Sequence, residues 1–169
     1  MTEQEFERRF LVSDQRVLQG TSSVVIEQGY LWARGGYAIR IRRTRPEDGE
    51  GTASDDPGVF ALKGPRTHAH RLEHEVLLPA EHVTALLQQA NYRVVKRRHA
   101  LIFRGDLWSI DVFLEQNEGL IIAEFEGSEQ AVASVVQPHW CSREVTDERE
   151  YDNENLARLP YATWPPSEH

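Results

Sequence analysis

Residues 5–12 have the sequence Glu-Phe-Glu-Arg-Arg-Phe-Leu-Val, and this stretch decides the fold. Because successive side chains of a strand point to opposite faces, Glu5, Glu7 and Arg9 share one face and the aromatic residues share the other. The two carboxylates on that face lie roughly 7 Å apart, so they repel each other unless a cation comes between them. A single strand of this kind is more typical of an acidic surface in contact with solvent, but similar charged faces recur along the chain.

The composition is that of a globular protein. The chain has 169 residues, of which 40% are hydrophobic and 27% charged, and we expect one domain over residues 1–169. We expect a cytoplasmic protein, since no apolar run could span a membrane, no signal peptide opens the chain, and the single cysteine fits a reducing compartment. The net charge of −8 argues against nucleic-acid or anionic-membrane partners but leaves room for a basic pocket that binds a small polyanion. No feature predicts the oligomeric state.

Alternating polar and apolar residues predict a mainly β protein of the α+β class. The predicted strands are residues 4–12, 24–31, 37–44, 58–64, 70–78, 93–104, 106–115 and 119–126. Gly35 and Gly36 predict a tight turn, and residues 44–58 are acidic without periodicity, which predicts a mobile loop. Three helices are predicted: residues 80–91, a segment capped by Ser128 that contains Val132, Val135 and Val136 and ends at Pro138, and residues 153–159.

Charged residues recur on one face of these strands, opposite an apolar face. Arg40 and Arg42 alternate with apolar residues, and so do Glu124 and Glu126. A solvent-exposed surface could carry all of these charges, but acids cluster on some strands and bases on others, which favours a common site. A closed antiparallel barrel of eight strands would bring them together if the charged faces formed a polar lumen and the few helices packed outside.

The predicted lumen combines acids and bases that need two kinds of partner. The acids are Glu5, Glu7, Glu73, Glu75, Asp111, Glu124 and Glu126, and the bases are Arg9, Arg40, Arg42, Lys63, Lys96 and Arg98. Carboxylate oxygens suit Mg²⁺ or Mn²⁺, and the forked donors of arginine suit phosphate oxygens. The combination predicts a site for a metal-bound polyphosphate.

The motif Glu5-x-Glu7-x-Arg9 resembles the Glu-x-Glu-x-Lys signature of the triphosphate tunnel metalloenzymes, also called the CYTH superfamily. The resemblance extends over nearly the whole chain through Gln28-Gly29-Tyr30-Leu31, Arg40-x-Arg42, Leu62-Lys63-Gly64, Leu72-Glu73-x-Glu75, Lys96-x-Arg98, Trp108-x-x-Asp111, Ala123-Glu124-x-Glu126 and Tyr151-Asp152-Asn153. Each motif is weak alone, but their order and their shared strand faces are specific. The Gly-Tyr-Leu variant is most similar to the small bacterial members that hydrolyse inorganic triphosphate.

The resemblance implies a role for each charged group. One or two divalent metals, Mg²⁺ or Mn²⁺, would be held by Glu5, Glu7, Asp111, Glu124 and Glu126. The phosphate chain would be bound by Arg9, Arg40, Arg42, Lys63, Lys96 and Arg98. Glu73 and Glu75 would orient basic residues or help to hold a second metal, and Tyr30 would position the attacking water.

Arg9 departs from the family signature, which has a lysine at this position. An arginine remains protonated and cannot act as a general base. Two roles therefore stay open for a cation here. Arg9 either holds a phosphate oxygen or forms a dyad with Tyr30 that orients or deprotonates the water.

The resemblance thus implies a metal-dependent triphosphatase that hydrolyses inorganic tripolyphosphate to pyrophosphate and phosphate inside a tunnel. Alternatives on the same fold are a class IV type adenylate cyclase, a nucleoside or thiamine triphosphatase, and a non-catalytic module that binds polyphosphate. We also expect the C-terminal segment, residues 153–161, to pack across one end of the tunnel.

Overall fold

The structure is a computed structural model that describes residues 2–47 and 57–165. The strands in these ranges are β1 (Thr2–Val12), β2 (Ser23–Arg34), β3 (Tyr37–Pro46), β4 (Gly58–Lys63), β5 (His70–Leu78), β6 (Tyr92–Phe103), β7 (Asp106–Phe113), β8 (Ile121–Gly127) and β9 (Cys141–Glu144). The α-helices are α1 (Ala80–Gln89), α2 (Glu129–Ser134) and α3 (Asn153–Arg158). Across the same ranges, no helix combines the length and the apolar character that a membrane crossing requires.

The first eight strands close into a barrel in the order β5-β4-β3-β2-β6-β7-β8-β1. Neighbouring strands are antiparallel, and β1 closes the sheet because it pairs with both β5 and β8. Residues 2–6 of β1 pair with β5, whereas residues 6–11 pair with β8. This arrangement confirms the predicted closed antiparallel barrel, and all eight predicted strands are present with small differences at their ends.

Two features of the chain differ from the sequence-based expectation. β9 was not predicted, and it pairs with β1 at Phe10 and Val12, beyond the part of β1 that β5 covers. Its four residues carry no alternating pattern, so its position depends on the edge that β1 offers. The predicted loop over residues 44–58 also starts too early, because β3 continues to Pro46 in register with β2. Residues 48–56 of that loop lie outside the described residues.

Helix α1 covers the outer face of β2 and β3. Its stripe of Val83 and Leu87 packs against Ile41, as the helical spacing predicts. The helix also approaches β2 closely, since a Cβ on Gly29 would lie only 2.6 Å from the Cβ of Ala90. A glycine at this position of β2 therefore lets the helix and the sheet pack together.

Helix α2 is shorter than predicted. Ser128 caps it as expected, because its hydroxyl accepts a hydrogen bond from the backbone N–H of Ala131. Val135 is extended and Val136 is 56% exposed, so the predicted continuation of the helix through these valines is wrong. Both are β-branched and favour extended backbone. Within the helix, Val132 is buried in the core outside the barrel and Ala131 packs against that core.

The C-terminal segment closes one end of the barrel. Tyr151, Leu156 and Ala157 pack against an apolar layer inside the barrel that includes Tyr30 and Phe113. This packing confirms the expectation that residues around α3 lie across one end. The charged part of the lumen therefore lies between this apolar layer and the opposite mouth.

Candidate active site

A charged cavity fills the lumen next to the C-terminal segment. In the described part of the chain, only Ile26, Tyr30 and Ala38 contribute apolar side chains to its wall. The bases of the wall are Arg9, Arg40, Arg42, Lys63, Arg66, Arg71, Lys96 and Arg98, and the acids are Glu5, Glu7, Glu124, Glu126, Asp152 and Glu154. A lumen with so many charges of both signs suits an anion that arrives with a cation.

Strand alternation brings most of the predicted site residues to this wall. Those that line the cavity are Glu5, Glu7, Arg9, Tyr30, Arg40, Arg42, Lys63, Lys96, Arg98, Glu124 and Glu126. Glu73 and Glu75 line an adjoining cavity at the other mouth, which shares Glu5, Arg40, Arg42 and Glu126 with the first. Asp111 is fully buried behind the wall. The strand faces predicted from the sequence therefore point inward.

Four carboxylates of β1 and β8 lie together on the wall. The register of the two strands places Glu7 opposite Glu126. Burial raises the pKa of Glu126, and the neighbouring carboxylates of Glu5 and Glu7 raise it further. Burial also raises the pKa of Glu124, although nearby bases act against this effect. Glu124 and Glu126 are therefore the two members of the cluster whose charged form is disfavoured.

The donor chemistry of this cluster fits a divalent metal. Its ligand atoms are carboxylate oxygens, which Mg²⁺ and Mn²⁺ prefer, and a cation would relieve the repulsion that raises the pKa of Glu126. Within residues 2–47 and 57–165, however, no three His, Cys, Asp or Glu side chains lie close enough together to hold a metal ion as they stand. Metal binding therefore requires some of these carboxylates to change partners.

Glu5 and Glu7 are at present paired with bases of the cavity. Arg71 Nε donates a hydrogen bond of 2.8 Å to Glu5, and Lys63 Nζ lies 3.6 Å from the same oxygen. Arg66 donates to Glu7. Burial alone would raise the pKa of both carboxyl groups, but these bases lower the two pKa values below the ordinary range.

Asp111 holds two bases of β6 in position. Its two oxygens accept hydrogen bonds of 2.7 and 2.6 Å from Arg98, and Lys96 donates to one of them. Burial would raise the pKa of Asp111, but Arg98 and Lys96 lower it to about 2. Arg98 reaches across to Glu124 as well. The contacts of Asp111 are those of an orienting carboxylate, and its role as a metal ligand stays a prediction.

Glu73 and Glu75 pair with bases of the neighbouring strands. Glu73 accepts hydrogen bonds from Lys63 at 2.8 Å and from Arg40 at 3.2 Å. Glu75 accepts one from Arg40 and lies 3.7 Å from Arg42. Burial lowers the pKa of Lys63 to about 8, and the charge of Arg40 contributes to this shift. Of the roles open for the two glutamates, these contacts support the orientation of basic side chains.

Arg9 lies on the cavity wall but donates to the C-terminal segment. Its Nη1 donates to the carbonyl oxygen of Tyr151 at 2.9 Å, and its Nη2 donates to that of Thr146 at 3.0 Å and lies 2.9 Å from Asp152. Among the described residues, no hydrogen bond or ion pair joins Arg9 to Tyr30. Tyr30 is buried, and burial raises its pKa well above the ordinary value, so the phenol stays protonated at neutral pH.

Several charged residues of the wall were not predicted. Arg71 could have been found, because it shares a strand face with Glu73. Arg66 lies in the loop between β4 and β5, where no periodicity indicates the direction of a side chain. Asp152 and Glu154 come from the segment across the end of the barrel, and only the tertiary structure brings them to the cavity.

Known proteins resemble this chain in both sequence and fold. No family model matches the chain. The inorganic triphosphatase of Acetivibrio thermocellus is 34% identical over 160 residues, which cover 93% of this chain and 95% of that protein. The crystal structure of the inorganic triphosphatase NE1496 has a TM-score of 0.61 and 26% identity over 90% of this chain and 93% of its own. A proposed adenylate cyclase from Bacillus halodurans shares the fold, with a TM-score of 0.55 and 18% identity over 78% of this chain and 85% of its own. The chain therefore belongs to the triphosphate tunnel metalloenzyme, or CYTH, superfamily, together with the inorganic triphosphatases.

Proposed function

We propose that the protein hydrolyses inorganic tripolyphosphate to pyrophosphate and phosphate, and that the reaction requires a divalent metal. The observation that carries this proposal is the composition of the cavity, where eight basic side chains meet the carboxylates of β1 and β8. The bases offer donors to a chain of phosphates, and the carboxylates offer oxygen ligands to a metal. The related protein of Acetivibrio thermocellus, an inorganic triphosphatase, supports the same substrate.

The phosphate chain is bound by bases from three strands. Arg40 and Arg42 project from β3, Lys63 from β4, and Lys96 and Arg98 from β6. Carboxylates of β5 and β7 hold these bases in position, so the donors are oriented before the substrate enters. Catalysis of phosphoryl transfer consists mainly of such positioning and of electrostatic stabilisation.

The residues that would hold the metal are the carboxylates of β1 and β8, Glu5, Glu7, Glu124 and Glu126. Asp111, the fifth predicted ligand, would have to leave Lys96 and Arg98 first. Triphosphatases of the tunnel fold generally depend on a divalent metal, and the all-oxygen donor set favours Mg²⁺ or Mn²⁺. A bound cation would supply charge neutralisation of the phosphate oxygens and polarisation of the phosphoryl group.

Tyr30 orients the attacking water. Its hydroxyl can both donate and accept a hydrogen bond, and its raised pKa argues against deprotonation of the water by a phenolate. Arg9 also stays protonated, and its contacts support a role in fastening the C-terminal segment over the end of the lumen. Neither residue acts as a general base in this proposal.

The cavity wall favours an inorganic substrate over a nucleotide. A nucleobase or a thiazole ring needs an apolar or aromatic surface on which to stack. Tyr30 and Ile26 are only 3% and 4% exposed, and the rest of the described wall is almost entirely charged or polar. The wall thus offers little to the adenine of an adenylate cyclase substrate or to the ring of thiamine triphosphate.

A phosphate-release screen tests the proposal. Tripolyphosphate, ATP and thiamine triphosphate are each assayed with Mg²⁺, Mn²⁺, Ca²⁺ or EDTA, beside a calorimetric binding assay. We expect the highest kcat/KM for tripolyphosphate, no turnover in EDTA, and little turnover with the larger Ca²⁺ ion. Preference for ATP, or formation of a cyclic nucleotide, would replace the proposal with a nucleotide enzyme. Tight binding without turnover would point to a non-catalytic polyphosphate-binding module.

A further inference from the structure

Arg66 is a base of the cavity whose buried hydrogen-bonding groups are mostly unpaired. Its side chain is only 8% exposed, and it reaches the wall from the loop between β4 and β5. Nη2 donates to Glu7, but Nε and Nη1 are buried without a hydrogen-bond partner. In residues 2–47 and 57–165, no other side chain has two buried polar atoms without a partner.

Unpaired donors of this kind indicate a missing acceptor. Buried polar groups almost always have a partner, and a buried donor without one costs free energy. Asp152 does not supply the acceptor, because its Oδ1 lies 3.7 Å from Nε, beyond hydrogen-bond distance. Since Arg66 lines the lumen, an anion in the cavity is the acceptor that its position makes available.

The contacts of Arg9 strengthen this conclusion. Arg9 donates from both Nη atoms to backbone oxygens of the C-terminal segment, so these donors are occupied. Arg66 stands beside it, and the two guanidinium groups share Glu7 and Asp152 as neighbours. Arg66 therefore has two unpaired donor atoms, Nε and Nη1, whereas in the neighbouring Arg9 only Nε is unpaired.

We infer that Arg66 is a substrate-binding residue of this tunnel and donates its unpaired N–H groups to phosphate oxygens of the polyphosphate. The inference rests on the proposed function. Arg66 lines the cavity beside the C-terminal segment but not the adjoining cavity at the other mouth, so it binds the phosphoryl group nearest that segment. When Glu7 exchanges Arg66 for a metal, Nη2 also becomes available to the substrate.

Calorimetric titration with tripolyphosphate in EDTA tests this role without catalysis. The proteins are the wild type, Arg66→Gln, Arg66→Lys and, as a matched control, Arg16→Gln, whose arginine side chain is 83% exposed. We expect Arg66→Gln to raise the Kd about 10- to 100-fold, as the loss of charged hydrogen bonds does. Arg66→Lys keeps the charge beside Glu7 but replaces the planar fork of N–H donors by a single ammonium group. We therefore expect its affinity for tripolyphosphate to fall about 3- to 10-fold. Arg16→Gln should leave the Kd unchanged.

A purely structural role predicts a different pattern. If Arg66 only neutralises Glu7, Arg66→Lys, which keeps this charge, will bind tripolyphosphate like the wild type, and that result would overturn the inference. Titration with Mn²⁺ alone adds a second readout, because removal of a competing cation should leave Mn²⁺ binding to Arg66→Gln equal or tighter. A parallel loss of Mn²⁺ and tripolyphosphate binding would mean that the site has collapsed, and would also overturn it.

The design separates this inference from the proposed function. If Arg66→Gln fails to fold, the Kd of Arg66→Lys decides, and a value equal to that of the wild type refutes the inference. Wild-type protein that binds tripolyphosphate but does not hydrolyse it with any metal refutes the proposed function alone. Hydrolysis by the wild type, together with unchanged tripolyphosphate binding by Arg66→Lys, refutes the role of Arg66 alone.

Discussion

At the scale of single residues, Glu126 and Lys63 show how burial acts on the charges of the cavity. Burial disfavours the charged form of each, so the pKa of the carboxyl group rises and the pKa of the amine falls to about 8. Both shifts oppose the charges that the proposed chemistry uses. A cation beside Glu126 would lower the pKa of its carboxyl group, and a polyanion beside Lys63 would raise the pKa of its amine, so each ligand would favour the charged form that burial disfavours.

Replacement of Glu126 by Gln should stabilise the protein in EDTA and destroy its function. A carboxyl group with a raised pKa binds more protons in the folded state, so stability falls as pH rises above the ordinary value of 4.5. At pH 7 the change removes an unfavourable charge, and we expect Tm in EDTA to rise by about 2 °C. The increase in Tm should vanish below pH 4.5, where the carboxyl group is protonated in both the folded and the unfolded protein. The variant should lose at least about 100-fold in kcat/KM with Mg²⁺ or Mn²⁺.

The exposed Glu118 supplies the control for this experiment. Glu118→Gln should change neither Tm in EDTA nor kcat/KM, because this residue lies outside the cavity wall. Mn²⁺ should raise the Tm of the wild type and of the control but not that of Glu126→Gln. An equal Mn²⁺-dependent rise in all three proteins would exclude Glu126 as a metal ligand.

The lowered pKa of Lys63 predicts a pH dependence of substrate binding. Only the protonated amine attracts phosphate, so in EDTA the affinity for tripolyphosphate should fall as pH rises above about 8, by up to about tenfold per pH unit. Lys63→Arg remains charged over this range and is the matched comparison, because ionisation of the ligand affects both proteins equally. Calorimetry between pH 7 and 10 measures the ratio of the two affinities. A ratio that does not change with pH would exclude titration of Lys63 in this window.

At the scale of elements, β1 is the strand on which the barrel depends. It pairs with β8 along one edge and with β5 and β9 along the other. Its inward face supplies two of the carboxylates, and Arg9 then ties the strand to the segment that covers the end of the lumen. The same short stretch of sequence therefore sets the closure of the sheet, two ligands of the proposed metal site and the position of the C-terminal segment.

Arg9→Lys tests the connection between β1 and the C-terminal segment. A lysine cannot donate to the carbonyl oxygens of Tyr151 and Thr146 with the same fork, so we expect a loss of about 1–3 kcal/mol in the free energy of unfolding. We expect no increase in kcat. Urea unfolding and steady-state kinetics measure the two quantities, with Arg16→Lys on the exposed Arg16 as the control.

The outcome also decides between the two roles that the sequence left open for Arg9. A kcat that rises about tenfold in Arg9→Lys, which corresponds to about 1.4 kcal/mol of barrier, would support the dyad with Tyr30 and contradict the anchoring role. Arg9→Ala that raises KM while Arg9→Lys leaves kcat unchanged would show that the cation also contacts phosphate.

At the scale of the whole molecule, the barrel and most of its lumen could be predicted because both depend on strand alternation. A period of two residues determines which side chains share a face, so the inward positions of Arg40, Lys63 and Glu124 follow from the sequence. Arg66 could not be predicted, since a loop has no such period. β9 and the contacts of Arg9 depend on segments that are distant in sequence and meet only in the folded chain.

The ratio of kcat/KM for tripolyphosphate to that for pyrophosphate, measured with Mg²⁺ or Mn²⁺, tests most directly whether the lumen binds a chain of several phosphates. Bases from three strands engage different parts of such a chain, and a shorter chain loses at least two charged hydrogen bonds of about 1.5 kcal/mol each. We therefore predict a ratio of about 100 or more in favour of tripolyphosphate. Equal values, or a higher kcat/KM for pyrophosphate, would contradict the claim that the barrel is a polyphosphate-binding tunnel.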